Sequence, residues 1–219
     1  MDTYDFESKH LYRQRRESAI DRLAPGNPFT RKVAYLDTSE ALDTIAYLKR
    51  GYQPQNLWAI NDVPAEVAHI TMKLARLGLP RVNVVGVDFE KALMQRVPKV
   101  DVVNFDGTKP LSQEMADSLF RMAKLRPTAV WAVTFLAARE SRGRFTAPLF
   151  KACACCRNGE RYRCRTSFNR DVNARHYRRT ASILHWFQDS TSRKVKKFFW
   201  DVYLSQSRQP IGWVALSLK

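Results

Sequence analysis

The stretch KVKKFFWDVYLSQSRQPIGWVALSL, residues 194–218, holds two strand-like runs almost back to back. KVKKFFWDVYLSQS (194–207) and IGWVALSL (211–218) are rich in β-branched and aromatic residues, and only Arg208, Gln209 and Pro210 join them. A link that short between two strands implies an antiparallel hairpin, because parallel neighbours need a crossover of a dozen residues or more. What precedes the hairpin then decides the architecture.

Upstream lie five further apolar runs of strand length: VAYLD (33–37), LWAIN (57–61), VNVVG (82–86), VDVVNFD (100–106) and TAVWAVTF (128–135). Helical patterns separate them. EALDTIAYLKRG (40–51) carries Ala41, Ile45 and Leu48 at helical spacing, with Gly51 as its stop. A helix starting near Pro64 runs through AEVAHITMKLARLG to Gly78, where proline suits the first turn. EKALMQRV and the amphipathic SQEMADSLFRMAKL (112–125) follow the third and fourth runs, and DVNARHYRRTASILHWF (171–187) reads as a helix before the hairpin. Runs that are apolar throughout, alternating with helices, fit a parallel sheet covered on both sides. The expected organisation is a basic N-terminal arm over residues 1–30, broken at Pro25, Gly26 and Pro28, then a single domain over 31–219 with a Cys/Arg-rich insertion at about 139–170.

Charge is the strongest compositional signal. The 219 residues carry a formal net charge of +16, and residues 139–219 hold 18 Lys/Arg against 5 Asp/Glu. A near-neutral first part followed by a strongly basic last third favours a polyanionic partner, with nucleic acid first and a ribosome- or virion-associated role as the alternative. No apolar run reaches the ~18 residues of a membrane-spanning helix, and MDTYDFESKHLYRQRRES has no apolar core of a secretory signal. All 4 cysteines fall between Cys153 and Cys164, which speaks for reduced thiols or a metal site in an intracellular setting rather than a disulfide framework.

The order of five βα-type strands, an insertion, a helix and a closing hairpin resembles that of class I S-adenosylmethionine-dependent methyltransferases. The resemblance covers about residues 31–138 and 171–219 and rests on element order and on where acids follow the strands. It implies an α/β three-layer sandwich whose mostly parallel seven-stranded sheet is closed by a C-terminal antiparallel hairpin. It also implies cofactor contacts: Asp37 after the first strand toward the methionine amino group, Asp62 after the second toward the ribose hydroxyls, and Asp88 after the third toward the adenine amino group. Asn104 and Asp106, ending the fourth strand, then stand where the family's substrate-facing residues lie. The resemblance thus implies methyl transfer from S-adenosylmethionine to a nucleophile that Asn104 or Asp106 orients.

Each acid has a plainer reading beside this one. Asp62 and Asp88 are suitable caps for the helices that follow, and Asp106-Gly107 suits a turn. The first motif is degenerate, because YLDTSEALDT contains no glycine where the family makes a glycine-rich turn, and Glu40 would repel a cofactor carboxylate. NFDG also departs from the [DN]PP[YF] signature of amino-methylating DNA methyltransferases. A non-catalytic protein that keeps the fold and binds nucleic acid is therefore the alternative.

Two further groups of residues bear on partners. Cys153, Cys156 and Cys164, with His176 or Cys155 as a fourth, have the donor types of a zinc site, although the spacing is not that of a regular finger. Around them Arg161, Arg163, Arg165, Arg175, Arg178 and Arg179 are interleaved with Tyr162, Phe168, Tyr177 and Trp186. Arginines contact phosphates and rings stack on bases, so the mixture suits a nucleic-acid surface that Lys194, Lys196 and Lys197 extend.

Overall fold

The computed structural model describes residues 6–24, 26–110, 113–136, 180, 183, 184, 187–204 and 210–219. Helix α1 spans Phe6–Leu23, followed by strand β1 (Val33–Leu36), helix α2 (Leu42–Lys49), β2 (Leu57–Ile60) and α3 (Pro64–Arg76). Then come β3 (Asn83–Val85), α4 (Phe89–Gln95), β4 (Val102–Pro110), α5 (Gln113–Leu125), β5 (Val130–Leu136), β6 (Val195–Leu204) and β7 (Pro210–Leu218). The strands form one seven-stranded sheet in the order β3-β2-β1-β4-β5-β7-β6. The first five run parallel, Val33 facing Leu57 on one side and Val102 on the other. β7 enters antiparallel beside β5, with Phe135 opposite Gly212, and β6 closes the edge against β7. The hairpin and the parallel run are thus joined as the sequence order implies.

Helices cover both faces, which makes the three layers. On one face Tyr12, Ala19 and Ile20 of α1, Tyr47 of α2 and Ile70 and Leu74 of α3 pack with Val33, Tyr35, Val102 and Ala132 of the sheet. On the other, Leu93 of α4, Leu119 and Met122 of α5, and the helical residue Phe187 pack with Val103, Trp131, Val133 and Leu216. Alternation along β4 and β5 sends successive side chains to opposite cores. The helix stops are those expected: Gly51 and Gly78 take φ of +87° and +70° just past α2 and α3, a conformation glycine adopts without steric cost.

Two features differ from the sequence reading. The fourth strand does not turn at Asp106-Gly107 but continues to Pro110, pairing Asp106 with Thr134 and, after an irregularity, Pro110 with Leu136. Gly107 is needed because a Cβ there would lie 2.9 Å from the Phe105 ring and 3.0 Å from Met115 Cε. The third strand is short and only half-buried, as its place at the sheet edge dictates. Within the segment expected as a basic arm, α1 packs its Tyr12–Ala19–Ile20 stripe into the core.

Candidate functional site

In open α/β sheets the carboxyl ends of the strands form the ligand-binding edge, at the point where strand order reverses. Here that point lies between β1 and β4, which are adjacent in the sheet but far apart in sequence. Asp37 follows β1 directly and is almost fully buried. Its carboxylate is turned toward the start of α2: Thr44 donates from Oγ1 at 2.6 Å and from its backbone N at 3.1 Å, and Thr38 N donates at 3.0 Å. Burial, and then the charge of Asp43, push the Asp37 carboxyl up to about 7 despite these donors.

Beside Asp37 the next strand end contributes Asn61. Leu36 pairs with Ile60, so Asn61 is the residue that falls opposite Asp37; its Nδ2 donates to the Asp37 carbonyl at 2.7 Å and its Oδ1 accepts from Val63 N at 2.9 Å. Neither Asn61 nor Asp62 caps α3, whose cap position is Val63 without a side-chain cap bond; Asn61 Oδ1 braces the turn ahead of it, and Asp62 stands exposed. Asp88 is also exposed and caps α4, its Oδ1 accepting from Glu90 N and Lys91 N.

The loop between β1 and α2 is held without glycine. Ala41 itself takes the left-handed conformation, φ 50° and ψ 34°, at the entry to α2. Ser39 N donates to Glu66 Oε2 at 2.6 Å, and Lys73 Nζ reaches Glu40 at 2.6 Å, so α3 ties the loop down.

Asn104 and Asp106 point to the α1 face of β4, one residue apart from Val103 and Phe105, which serve the other core. Asn104 is fully buried, and neither amide atom has a hydrogen-bond partner among the described residues. Asp106 meets a buried arginine: Arg16 of α1 donates from Nη1 to Asp106 Oδ2 at 2.9 Å. Arg16 also donates from Nη2 to Asp43 Oδ1 and, at 3.2 Å, to Glu17 Oε1, while Arg13 Nε reaches Asp43 at 2.9 Å. Tyr12 and Thr134 share a 2.6 Å hydroxyl contact at the same layer.

The charges in this cluster set one another. Burial works against the Arg16 cation, but Asp43, Asp106 and Glu17 more than offset it and hold its pKa above the ordinary value. Burial alone would raise Asp43, yet Arg16 and Arg13 keep it below the usual carboxylate range. Glu17 has the reverse balance: burial outweighs Arg16 and its carboxyl is pushed up to about 7.

Sequence reasoning singled out Asp37, Asp62, Asp88, Asn104 and Asp106; the first three follow β1, β2 and β3, whereas Asn104 and Asp106 lie within β4. It missed Arg16, Glu17, Asp43 and Asn61. Arg16 was visible in one respect, since it sits four residues from Tyr12 and from Ile20 and so falls within an apolar helical stripe. Lys194, Lys196 and Lys197 are exposed at the start of β6. Cys153, Cys156, Cys164 and His176, and Arg161, Arg163, Arg165, Arg175, Arg178 and Arg179, lie outside the described residues. Among the described residues no group of His, Cys, Asp and Glu is placed to hold a metal ion, and no helix is long and apolar enough to cross a membrane.

No protein-family model matches the chain, and no curated protein matches it in sequence. Solved structures do match it in shape. TYW2 of M. jannaschii in complex with AdoMet superposes with a TM-score of 0.53 at 10% identity, over 97% of this chain and 76% of that one. Cofactor-bound Rv0187 from MTB gives 0.52 at 16% identity, over 95% and 79%. TrmN from Thermus thermophilus gives 0.52 at 12% identity over 95% of this chain, which spans only 48% of TrmN. With the strand order and the antiparallel β7, these likenesses define a class I S-adenosylmethionine-dependent methyltransferase-like fold. Its first motif is degenerate, the β1–α2 loop lacking any glycine.

Proposed function

We propose that the protein is an S-adenosylmethionine-dependent methyltransferase-like protein acting on nucleic acid. The observation that carries this reading is the sheet order, which sets β1 beside β4 at the reversal point where open α/β sheets bind ligands. The solved structures of similar shape that hold a cofactor support it. So does the charge of +16, which suits a polyanionic substrate.

The cofactor's fit turns on the β1–α2 loop. Ala41 takes the left-handed conformation at the entry to α2, so the loop bends there without glycine. The exposed carboxylates of Asp62 and Asp88 suit the hydroxyl and amino groups of a nucleoside; Asp88 keeps Oδ2 outside its cap. Asp37 would act through the loop it orders, its own carboxylate being taken up by Thr38 and Thr44. When bound, S-adenosylmethionine supplies an electrophilic methyl group. The chain's part is then alignment: Asp106, its side chain 26% exposed, and the unpartnered amide of Asn104 orient the acceptor's amino or hydroxyl group.

The second reading, a non-catalytic nucleic-acid-binding protein that keeps the fold, is favoured by Glu66. Its carboxylate already occupies Ser39 N in the loop, and with Glu40 it opposes a cofactor carboxylate. Calorimetric titration with S-adenosylmethionine and its demethylated product separates the two. Saturable heat, with tritium transferred from the labelled methyl group to RNA or DNA, supports the enzyme. No heat and no thermal shift at millimolar ligand, with nucleic-acid binding retained, supports the second reading.

A further inference from the structure

The outer face of α1 and the edge strand β6 form one surface, and its cations are arranged in an unusual way. Arg22 lies 5.9 Å and Lys197 5.0 Å from the centre of the same ring, that of Phe199. Both side chains belong to exposed residues, and neither has a carboxylate partner among the described residues. Two like charges drawn to one ring repel each other unless an anion joins them. Two helical turns from Arg22, Arg15 is 68% exposed and reaches across to β6, its Nη1 2.9 Å from Asp201 Oδ2. Lys194 and Lys196 extend the exposed positive charge at the start of β6.

Lysines on an edge strand also discourage edge-to-edge pairing, which accounts for Lys196 and Lys197 alone. It leaves Arg15 and Arg22 unexplained, since they lie on a helix and converge on the strand from its flank. We infer that this ridge is a track for a nucleic-acid backbone, with Arg22 and Lys197 sharing one phosphate above Phe199 and Arg15 taking another about 10 Å along the helix. Asp201 competes for Arg15 in the absence of the polyanion, and an exposed pair of that kind is weak enough to be exchanged for a phosphate. The inference rests on the nucleic-acid part of the function proposed above and assigns that contact to a particular surface.

The test is fluorescence anisotropy of the full chain with a labelled single-stranded oligonucleotide, across a salt series. Each phosphate contact on a single strand contributes about 0.7 to the slope of log affinity against log salt. Arg22→Gln with Lys197→Gln removes the one shared phosphate contact and is expected to reduce that slope by about 0.7 and weaken binding roughly 5-fold at about 0.1 M salt. Asp201→Asn is expected to act in the opposite direction, tightening binding by freeing Arg15. Arg76→Gln serves as the control. It removes an exposed cation from α3 at the opposite end of the sheet, about 30 Å away, and is expected to leave the slope unchanged. If wild type binds and the double variant keeps its slope, the ridge is wrong while the nucleic-acid reading stands. If wild type binds no oligonucleotide, the reading itself fails and the ridge with it. Retention on phosphatidylserine vesicles without oligonucleotide binding would likewise overturn the inference, in favour of a membrane surface.

Discussion

Arg16 and Asp106 meet 2.9 Å apart beneath α1, joining the N-terminal helix to the end of β4. The arginine is completely buried and has two further carboxylates, Asp43 and Glu17, around it. Removing one member of a buried ionic group costs more than the group contributes, because its partners stay desolvated without a counter-charge. Arg16→Ala is expected to lower unfolding free energy by about 3–5 kcal/mol, read by urea denaturation. Arg16→Met combined with Asp43→Leu and Asp106→Leu should recover most of that loss. A single variant as stable as wild type would refute the buried network.

Glu17 gives the same cluster a pH dependence. Its carboxyl is raised from 4.5 to about 7, so the native state holds a proton that the unfolded chain releases above pH 4.5. Stability therefore falls as pH rises from about 4.5 to 7 and is flat above, a loss of up to about 3 kcal/mol from this group. Asp37, raised from 3.8 to about 7, adds to the fall over a similar window. Asp43 is lowered and has the opposite sign, its stabilisation being lost only in stronger acid. Glu17→Gln, neutral at every pH, should be more stable than wild type at pH 8 and no more stable at pH 4. Equal stability differences at the two pH values would contradict the assignment.

Ala41 stands at φ 50°, fully buried, at the start of α2. A non-glycine residue in that region costs roughly 1–2 kcal/mol and a β-branched one considerably more. Ala41→Gly relieves this strain while removing one buried methyl group, so stability should change by less than about 1 kcal/mol. Ala41→Val is expected to lose at least about 2 kcal/mol. If S-adenosylmethionine binds at this loop, the glycine variant should keep its affinity, since the turn is preserved. Thermal unfolding of both variants, with titration of the glycine form, checks the point.

Gly212 sits opposite Phe135 where β7 joins the parallel strands, and a Cβ there would come within 2.7 Å of the Phe135 ring. Both residues are buried in the sheet, so the ring has little room to give. Gly212→Ala is expected to cost about 1–3 kcal/mol by overpacking, and Phe135→Leu in the same chain should restore part of it. A double-mutant cycle by denaturant unfolding measures the coupling, and additive losses would rule out the contact.

The fold was legible because its signals are local: apolar runs of strand length, prolines and glycines at helix ends, and a short link in the hairpin. That link is two residues longer than the sequence reading had it, because β6 ends at Leu204 and Pro210 opens β7. The candidate site was legible only as positions. Asp37, Asp62 and Asp88 follow strands, while Asn104 and Asp106 lie inside the longer β4 that the sequence reading ended at Asp106. What each carboxylate does depends on neighbours distant in sequence, such as Glu66 on Ser39 N, 27 residues away, or Arg16 on Asp106, 90 residues away. An arginine in a basic N-terminal stretch looks like part of an arm until the fold brings Asp43 of α2 and Asp106 of β4 to it beside Glu17. Asn61 was missed for a simpler reason, since its bond to the Asp37 carbonyl joins the ends of two strands that lie 24 residues apart.

Asn104 brings stability and function into opposition. Its amide is buried between Tyr35 of β1 and Ala132 of β5 in register, with both polar atoms unpartnered. A buried donor or acceptor left unsatisfied costs about 1–3 kcal/mol, and nothing in the packing of β4 demands an amide there. Asn104→Leu, with the same branching and number of heavy atoms but apolar, is therefore expected to raise unfolding free energy by about 1–3 kcal/mol. Under the enzyme reading the same variant should lose methyl transfer while still binding oligonucleotide with the wild-type salt dependence. Asn104→Asp would place a charge in the same setting and is expected to destabilise the fold, most strongly above neutral pH. If the leucine variant were destabilised instead, the amide would have a structural partner in solution, such as a bound water, and the case for Asn104 as an acceptor-orienting group would lose its basis.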